Sequence, residues 1–199
     1  MEQLSACVTD RMITLGIISS DDRDCYCYSV QGLLEKTICL TIIVLLAAVF
    51  HSLIGVIAFL GVFMLIRRSA DGIHCKTAIG CFCASTLMAL STIWTSRILN
   101  CYSVIWVGMV VCSVIVLCII ATVNNPDLNL TNRELGHLKK RSRITSLVLG
   151  VIIVTAILII PNDEIVYYLA LGVIYNALSL LIAIITERRR NQNDGKEKT

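Results

Sequence analysis

Apolar stretches long enough to cross a bilayer recur along this chain, and they restrict its fold more than any other feature. A hydrocarbon slab of ~30 Å takes about 20 residues of helix. Inside it every backbone amide and carbonyl needs a partner within the protein, and continuous apolar runs meet that demand as helices. The runs cover about 33–50, 53–66, 77–96, 102–123, 144–161 and 165–186. With 56% hydrophobic and 16% charged residues and a mean hydropathy of +0.79 over 199 residues, the composition agrees with an integral membrane protein. The expected fold is all-α: a polytopic membrane protein of about six transmembrane helices, preceded by an amphipathic helix.

One membrane-embedded domain, 1–199, is expected, with an amphipathic segment at 1–30, a basic loop at 124–143 and a polar tail at 187–199. Leu4, Cys7, Val8, Met12, Leu15 and Ile18 recur near helical spacing, which predicts a helix lying on the membrane surface. The same stretch, carrying Glu2, Asp10 and Arg11, lacks the short apolar core of a cleavable signal. Ser19-Ser20-Asp21-Asp22-Arg23-Asp24 breaks it and can cap the next helix. Thr37 to Ile66 is apolar for about 45 Å of helix, too long for one upright crossing. Phe50-His51-Ser52, with Gly55 following, favours two spans there, a single steeply tilted helix being the alternative.

Lys and Arg cluster at Arg67, Arg68 and Lys76, at Arg133, Lys139, Lys140, Arg141 and Arg143, and at Arg188 to Arg190. With six spans all three clusters fall on the cytoplasmic side, the side that collects such charge, and Asp163-Glu164 falls outside.

Ten cysteines do not imply a disulfide scaffold here, because Cys39, Cys101, Cys112 and Cys118 lie in or beside apolar runs, where a thiol acts as a small hydrophobe. Chemistry concentrates instead in the polar break from Arg67 to Cys81, where His74 precedes Cys81 by seven residues. An imidazole can take the proton of a thiol, and the resulting thiolate attacks acyl carbons. In an unbroken helix the two would stand ~10 Å apart along the axis, so a working couple needs the chain to fold back, which Gly72 and Gly80 permit. A helix start near Cys81, together with Arg67, Arg68 and Lys76, would favour the thiolate. The same residues also fit a loop histidine against headgroups, a packing cysteine, or a zinc site using Cys75 and Cys83 whose spacing matches no common pattern. His51 reads as a hairpin residue and His137 as a solvated loop residue.

The pattern Arg67, Gly72, His74 and Cys81 resembles the signature of the accessory gene regulator protein B (AgrB) family of quorum-sensing peptidases. Ile17 to Asp22 and on to Tyr26-Cys27-Tyr28 resembles the family's amino-terminal approach, and Asn125-Pro126 to Lys139-Lys140-Arg141-Ser142 its basic central loop. Where members often carry Gly-Gly-Tyr-His-Ala, this chain has Asp71-Gly72-Ile73-His74-Cys75. The resemblance implies a membrane cysteine endopeptidase that cleaves a signal-peptide precursor, AgrD in the family, on the cytoplasmic side. It further implies Cys81 as nucleophile, His74 as base, and an acyl-thioester that an internal thiol or hydroxyl converts to a thiolactone or lactone. Gly72 and Arg67 then support the site, one by turning the chain, the other by holding substrate backbone or a carboxylate.

Arg133, Lys139, Lys140, Arg141 and Arg143 suit docking of an acidic precursor tail, or equally contact with anionic lipid. The rival function is a non-enzymatic exporter of a peptide or small solute, against which stands the scarcity of ionisable residues inside the runs. Thr92, Ser113, Thr155 and Asn176 are expected to join helices instead. No cofactor and no nucleic-acid partner is implied. A homodimer is expected, with Gly55, Ala58 and Gly61 allowing close helix approach.

Overall fold

The computed structural model describes residues 2–70, 78–98, 103–120, 132–161 and 163–196. Among them the regular structure is helical throughout: α1 (Glu2–Thr14), a 3-10 turn (Ser20–Asp22), α2 (Arg23–Val49), α3 (Leu53–Ala70), α4 (Ala78–Ile98), α5 (Ser103–Ile120), α6 (Asn132–Ile159) and α7 (Glu164–Lys196). Two units are formed. One holds α1, the turn, α2 and α4 as far as Ala89; the other holds α3, α4 from Leu90 onward, and α5 to α7.

In the first unit α1 ends earlier than its apolar spacing predicts. Gly16 takes the left-handed conformation at φ 69°, its N–H donates to the Ile13 carbonyl at 2.9 Å, and that of Ile17 donates to Met12 at 3.0 Å. This paired closure satisfies the last carbonyls and stops the helix, so Leu15 and Ile18 lie outside it. Ser19 caps the 3-10 turn, its hydroxyl accepting from the Asp21 N–H at 3.3 Å, while Asp22 at the start of α2 makes no side-chain cap. The expected amphipathic segment 1–30 is thus α1 plus the first turns of α2. The face of α1 turned toward α2 is small and polar: Ser5 and Thr9 are buried, and the Ser5 hydroxyl lies 3.5 Å from the Cys27 sulfur. Leu4, Val8 and Leu15 point away, 53%, 39% and 60% exposed, which leaves an apolar stripe for lipid.

Between Val49 and Leu53 the long apolar stretch breaks as two spans require, with His51 at φ 54° and Ser52 accepting the Val56 N–H at 2.9 Å. Helices long and apolar enough to cross a membrane are Ser20–Val49, Ser103–Ile120, Gly136–Ile159 and Glu164–Thr186. With 18 and 21 residues, α3 and α4 occupy the second and third expected runs.

In the second unit α7 lies against α3, α5 and α6. Its seam with α3 is close because glycines leave room: a Cβ at Gly55 would overlap the buried ring of Tyr168, and one at Gly172 would come within 2.9 Å of Val62 Cβ and 3.1 Å of the Phe59 carbonyl. Gly55, expected to serve a second copy, is therefore filled from within the chain. Toward α5, Trp106 and Tyr167 pack with ring centroids 5.0 Å apart, both buried. Val151, Ile152, Leu158 and Ile159 of α6 are each more than half exposed, as residues facing hydrocarbon are. Of the four polar residues expected to join helices, Asn176 does so, whereas Ser113 and Thr155 donate to their own helix at Met109 and Val151.

Two expected polar regions are helical. From Asn132 the basic loop is already α6, and the tail continues α7 to Lys196. The first stretch is rich in Arg, Lys and Leu and the second opens with Glu187 to Arg190, residues that favour helix once a neighbouring span has nucleated it.

Candidate active site

The chain enters the His74 segment from α3 and leaves it through α4. In the last turn of α3 the Arg67 guanidinium lies 5.7 Å from the ring centre of Phe63, one turn back, in a cation–π arrangement that holds it beside the helix. Arg68 next to it is exposed. Starting at Ala78, α4 has the backbone of Cys81 in its first turn. Helix starts carry unsatisfied N–H groups and a partial positive charge, the surroundings a thiolate needs. Cys83, two positions on, is exposed and unbridged. His74, Gly72 and Cys75, and the side chain of Cys81, lie outside the described residues.

A second candidate surface lies on the first turns of α6. His137, Lys140, Arg141, Ile144 and Thr145 line an open groove of about 270 Å³. Their offsets of three, four, seven and eight from His137 put them along one helix face, where two cations and an imidazole surround an aliphatic floor. The expected docking set divides on this geometry. Lys140 and Arg141 share the groove, Lys139 is half-buried on another face, and the side chain of Arg133 lies outside the described residues. Arg143 is committed elsewhere: its Nε–H donates to the Cys118 carbonyl at 2.9 Å, satisfying an acceptor in the last turn of α5. His137 is helical, not a loop residue, and joins the basic face. Its spacing from Lys140, Arg141 and Ile144 carried that information, hidden as long as the segment was read as a loop.

Among the described residues the disulfide-free thiols include Cys7, Cys25, Cys27, Cys83, Cys112 and Cys118. On the surface of the first unit the Arg23 Nε–H donates to Asp10 Oδ1 at 2.8 Å, tying α1 to the start of α2. That bond holds the Asp10 carboxyl below the usual carboxylate range; slight desolvation opposes the shift, and the Arg23 charge adds to it.

No curated protein and no solved structure matches the chain. A family model does, over residues 5–183, a stretch running from α1 nearly to the end of the apolar part of α7. The helical architecture, the apolar spans and this match together identify the chain as a member of the Accessory gene regulator B family, and so as a membrane protein of that quorum-sensing system.

Proposed function

We propose that this chain is a membrane cysteine endopeptidase that cleaves an AgrD-like signal-peptide precursor on the cytoplasmic side. The observation that carries the reading is the start of α4 at Ala78, three residues before Cys81, in a chain whose family match spans both flanking helices. A nucleophile there has the positive end of a helix behind it and a histidine within the preceding segment.

In this mechanism the Cys81 thiol gives its proton to the His74 imidazole, and the thiolate attacks the scissile carbonyl carbon. The tetrahedral adduct collapses, the C–N bond breaks, and the leaving amine takes the proton from the imidazolium. The precursor's amino-terminal part is then held as a thioester on Cys81. An internal thiol or hydroxyl of the precursor attacks that thioester, closes the ring and releases Cys81. Exchange of one thioester for another is nearly neutral, so holding the internal nucleophile close and keeping water out decides between ring closure and hydrolysis. Arg67, already braced by Phe63, is suited to hold a precursor carboxylate or backbone carbonyl, and Gly72 to turn the chain. Lys140 and Arg141, with Arg133 and Lys139 nearby in sequence, dock an acidic precursor tail, and the protein works as a homodimer.

Cys81→Ala and His74→Ala test the dyad when each is co-produced with the precursor. Cleavage falls to background in the first and by roughly 10²- to 10⁴-fold in the second, at unchanged membrane levels. Full cleavage by Cys81→Ala would end the peptidase reading.

A further inference from the structure

Several polar side chains of the second unit have found partners inside it. The Tyr175 hydroxyl lies 2.6 Å from that of Ser91 in α4, Asn176 Nδ2 donates to the Phe63 carbonyl of α3 at 3.2 Å, and Arg143 is bonded to Cys118. The cations of the α6 groove have not. Lys140 and Arg141 are exposed, and the ion pairs among the described residues are those of Arg23.

Below these cations the helix turns apolar on the same side. Ile144 lines the groove at 52% exposure, and Leu147, Val148, Val151 and Ile152 beyond it are each at least half exposed. Offsets of three, seven, ten and eleven from Arg141 reach Ile144, Val148, Val151 and Ile152, so the charges stand at the head of one continuous stripe. The packed side of α6 is elsewhere, marked by the buried Ser142, Ser146, Ile153 and Ile157. Lys140 and Arg141 precede Ile144 by four and three residues, about 4–6 Å of helical rise. The polar layer outside a ~30 Å hydrocarbon slab is about 5–7 Å deep on each side. With the apolar run starting at Ile144, both cations fall at headgroup level.

A diacyl phospholipid carries its charge and its chains at that same junction. Acidic peptide side chains answer the cations and leave the stripe unmatched. A zwitterionic lipid answers the stripe but offsets its phosphate with its own ammonium. An anionic phospholipid answers both. Arg141 can grip two phosphate oxygens, Lys140 acts as a point charge, and the Thr145 hydroxyl lines the same groove within reach of an ester or phosphate oxygen.

We propose that this groove holds one anionic phospholipid, its phosphate between Lys140 and Arg141 with His137 at the outer rim, and one acyl chain laid along Ile144, Val148 and Ile152. The site stands without the His74–Cys81 dyad. One consequence rests on the reading of Lys140 and Arg141 as a dock for the precursor: an acidic tail must displace the lipid from these two cations.

Native mass spectrometry of the full-length protein tests the site, by counting the lipid retained from micelles that contain phosphatidylglycerol or phosphatidylcholine at equal mole fraction. The wild type keeps one phosphatidylglycerol and holds phosphatidylcholine about 10-fold less well. Lys140→Gln with Arg141→Gln weakens phosphatidylglycerol binding by roughly 10- to 30-fold. Arg188→Gln with Arg189→Gln, an equal loss of charge, leaves it near the wild-type value. Ile144→Gln also weakens it, a change to which a site for a soluble anion or an acidic peptide is indifferent. Equal retention of the two lipids, or equal loss in the two double variants, overturns the site and leaves only diffuse attraction between a basic segment and a charged surface. Unchanged binding in Ile144→Gln, or displacement of the lipid by inorganic phosphate, overturns the lipid as occupant. Failure of a Glu decapeptide to displace the lipid overturns the competition with the precursor tail and spares the lipid site. Should Ile144→Gln fail to insert, Val148→Thr carries the same comparison.

Discussion

At Gly172 a missing side chain decides how near two helices come. The seam between α3 and α7 closes only because no Cβ stands between Gly172 and Val62, or between Gly55 and the Tyr168 ring. Gly172→Val should cost about 1–3 kcal/mol of stability, seen as a lower unfolding temperature in detergent. A variant as stable as the parent would show that the seam is looser than described. Asp10 offers a second residue-level test. Its folded-state carboxyl titrates below its unfolded value, so its bond to Arg23 contributes fully above about pH 4 and is lost as pH falls through the depressed value. Spin labels on α1 and α2 should report looser docking on acidification below about pH 4, and Asp10→Asn should remove that dependence. Both groups are exposed, so the effect is small and weakens with salt.

On the scale of single helices, the two-faced character of α6 is what the functional reading draws on. Its first turns carry the groove of His137, Lys140 and Arg141, while Lys139 and Arg143 lie off that face. Lys140→Glu with Arg141→Glu should therefore raise the precursor concentration needed for half-maximal cleavage by about 10-fold, and Lys139→Glu by much less. Equal effects from the two, measured at limiting precursor, would reduce the face to simple charge counting. Sequence periodicity located the membrane helices because lipid imposes a length and an apolar composition on each. It overran α1, where the left-handed turn at Gly16 outweighed the continuing apolar spacing. And it cut α6 short, since the apolar signal ends where the slab ends although the hydrogen-bonded rod does not.

For the molecule as a whole, membrane class and family were legible in composition, in the runs and in the Arg67–Cys81 pattern, and the match over residues 5–183 agrees. The bonding of Tyr175 and Asn176 was not, because which side chain meets which backbone across two helices depends on register, and register leaves no trace in one strand of sequence. Continuity of α6 has a consequence for the protein in its bilayer. From Ile144 back to Asn132 the rod extends ~18 Å beyond the start of the expected apolar run, and Arg143 latches it to the end of α5. The cations at 140 and 141 thus ride at a fixed elevation, unlike charges on a floppy connection. Vesicles of longer or shorter acyl chains should raise or sink that platform relative to the headgroups, and precursor capture should vary with membrane thickness even at constant lipid charge.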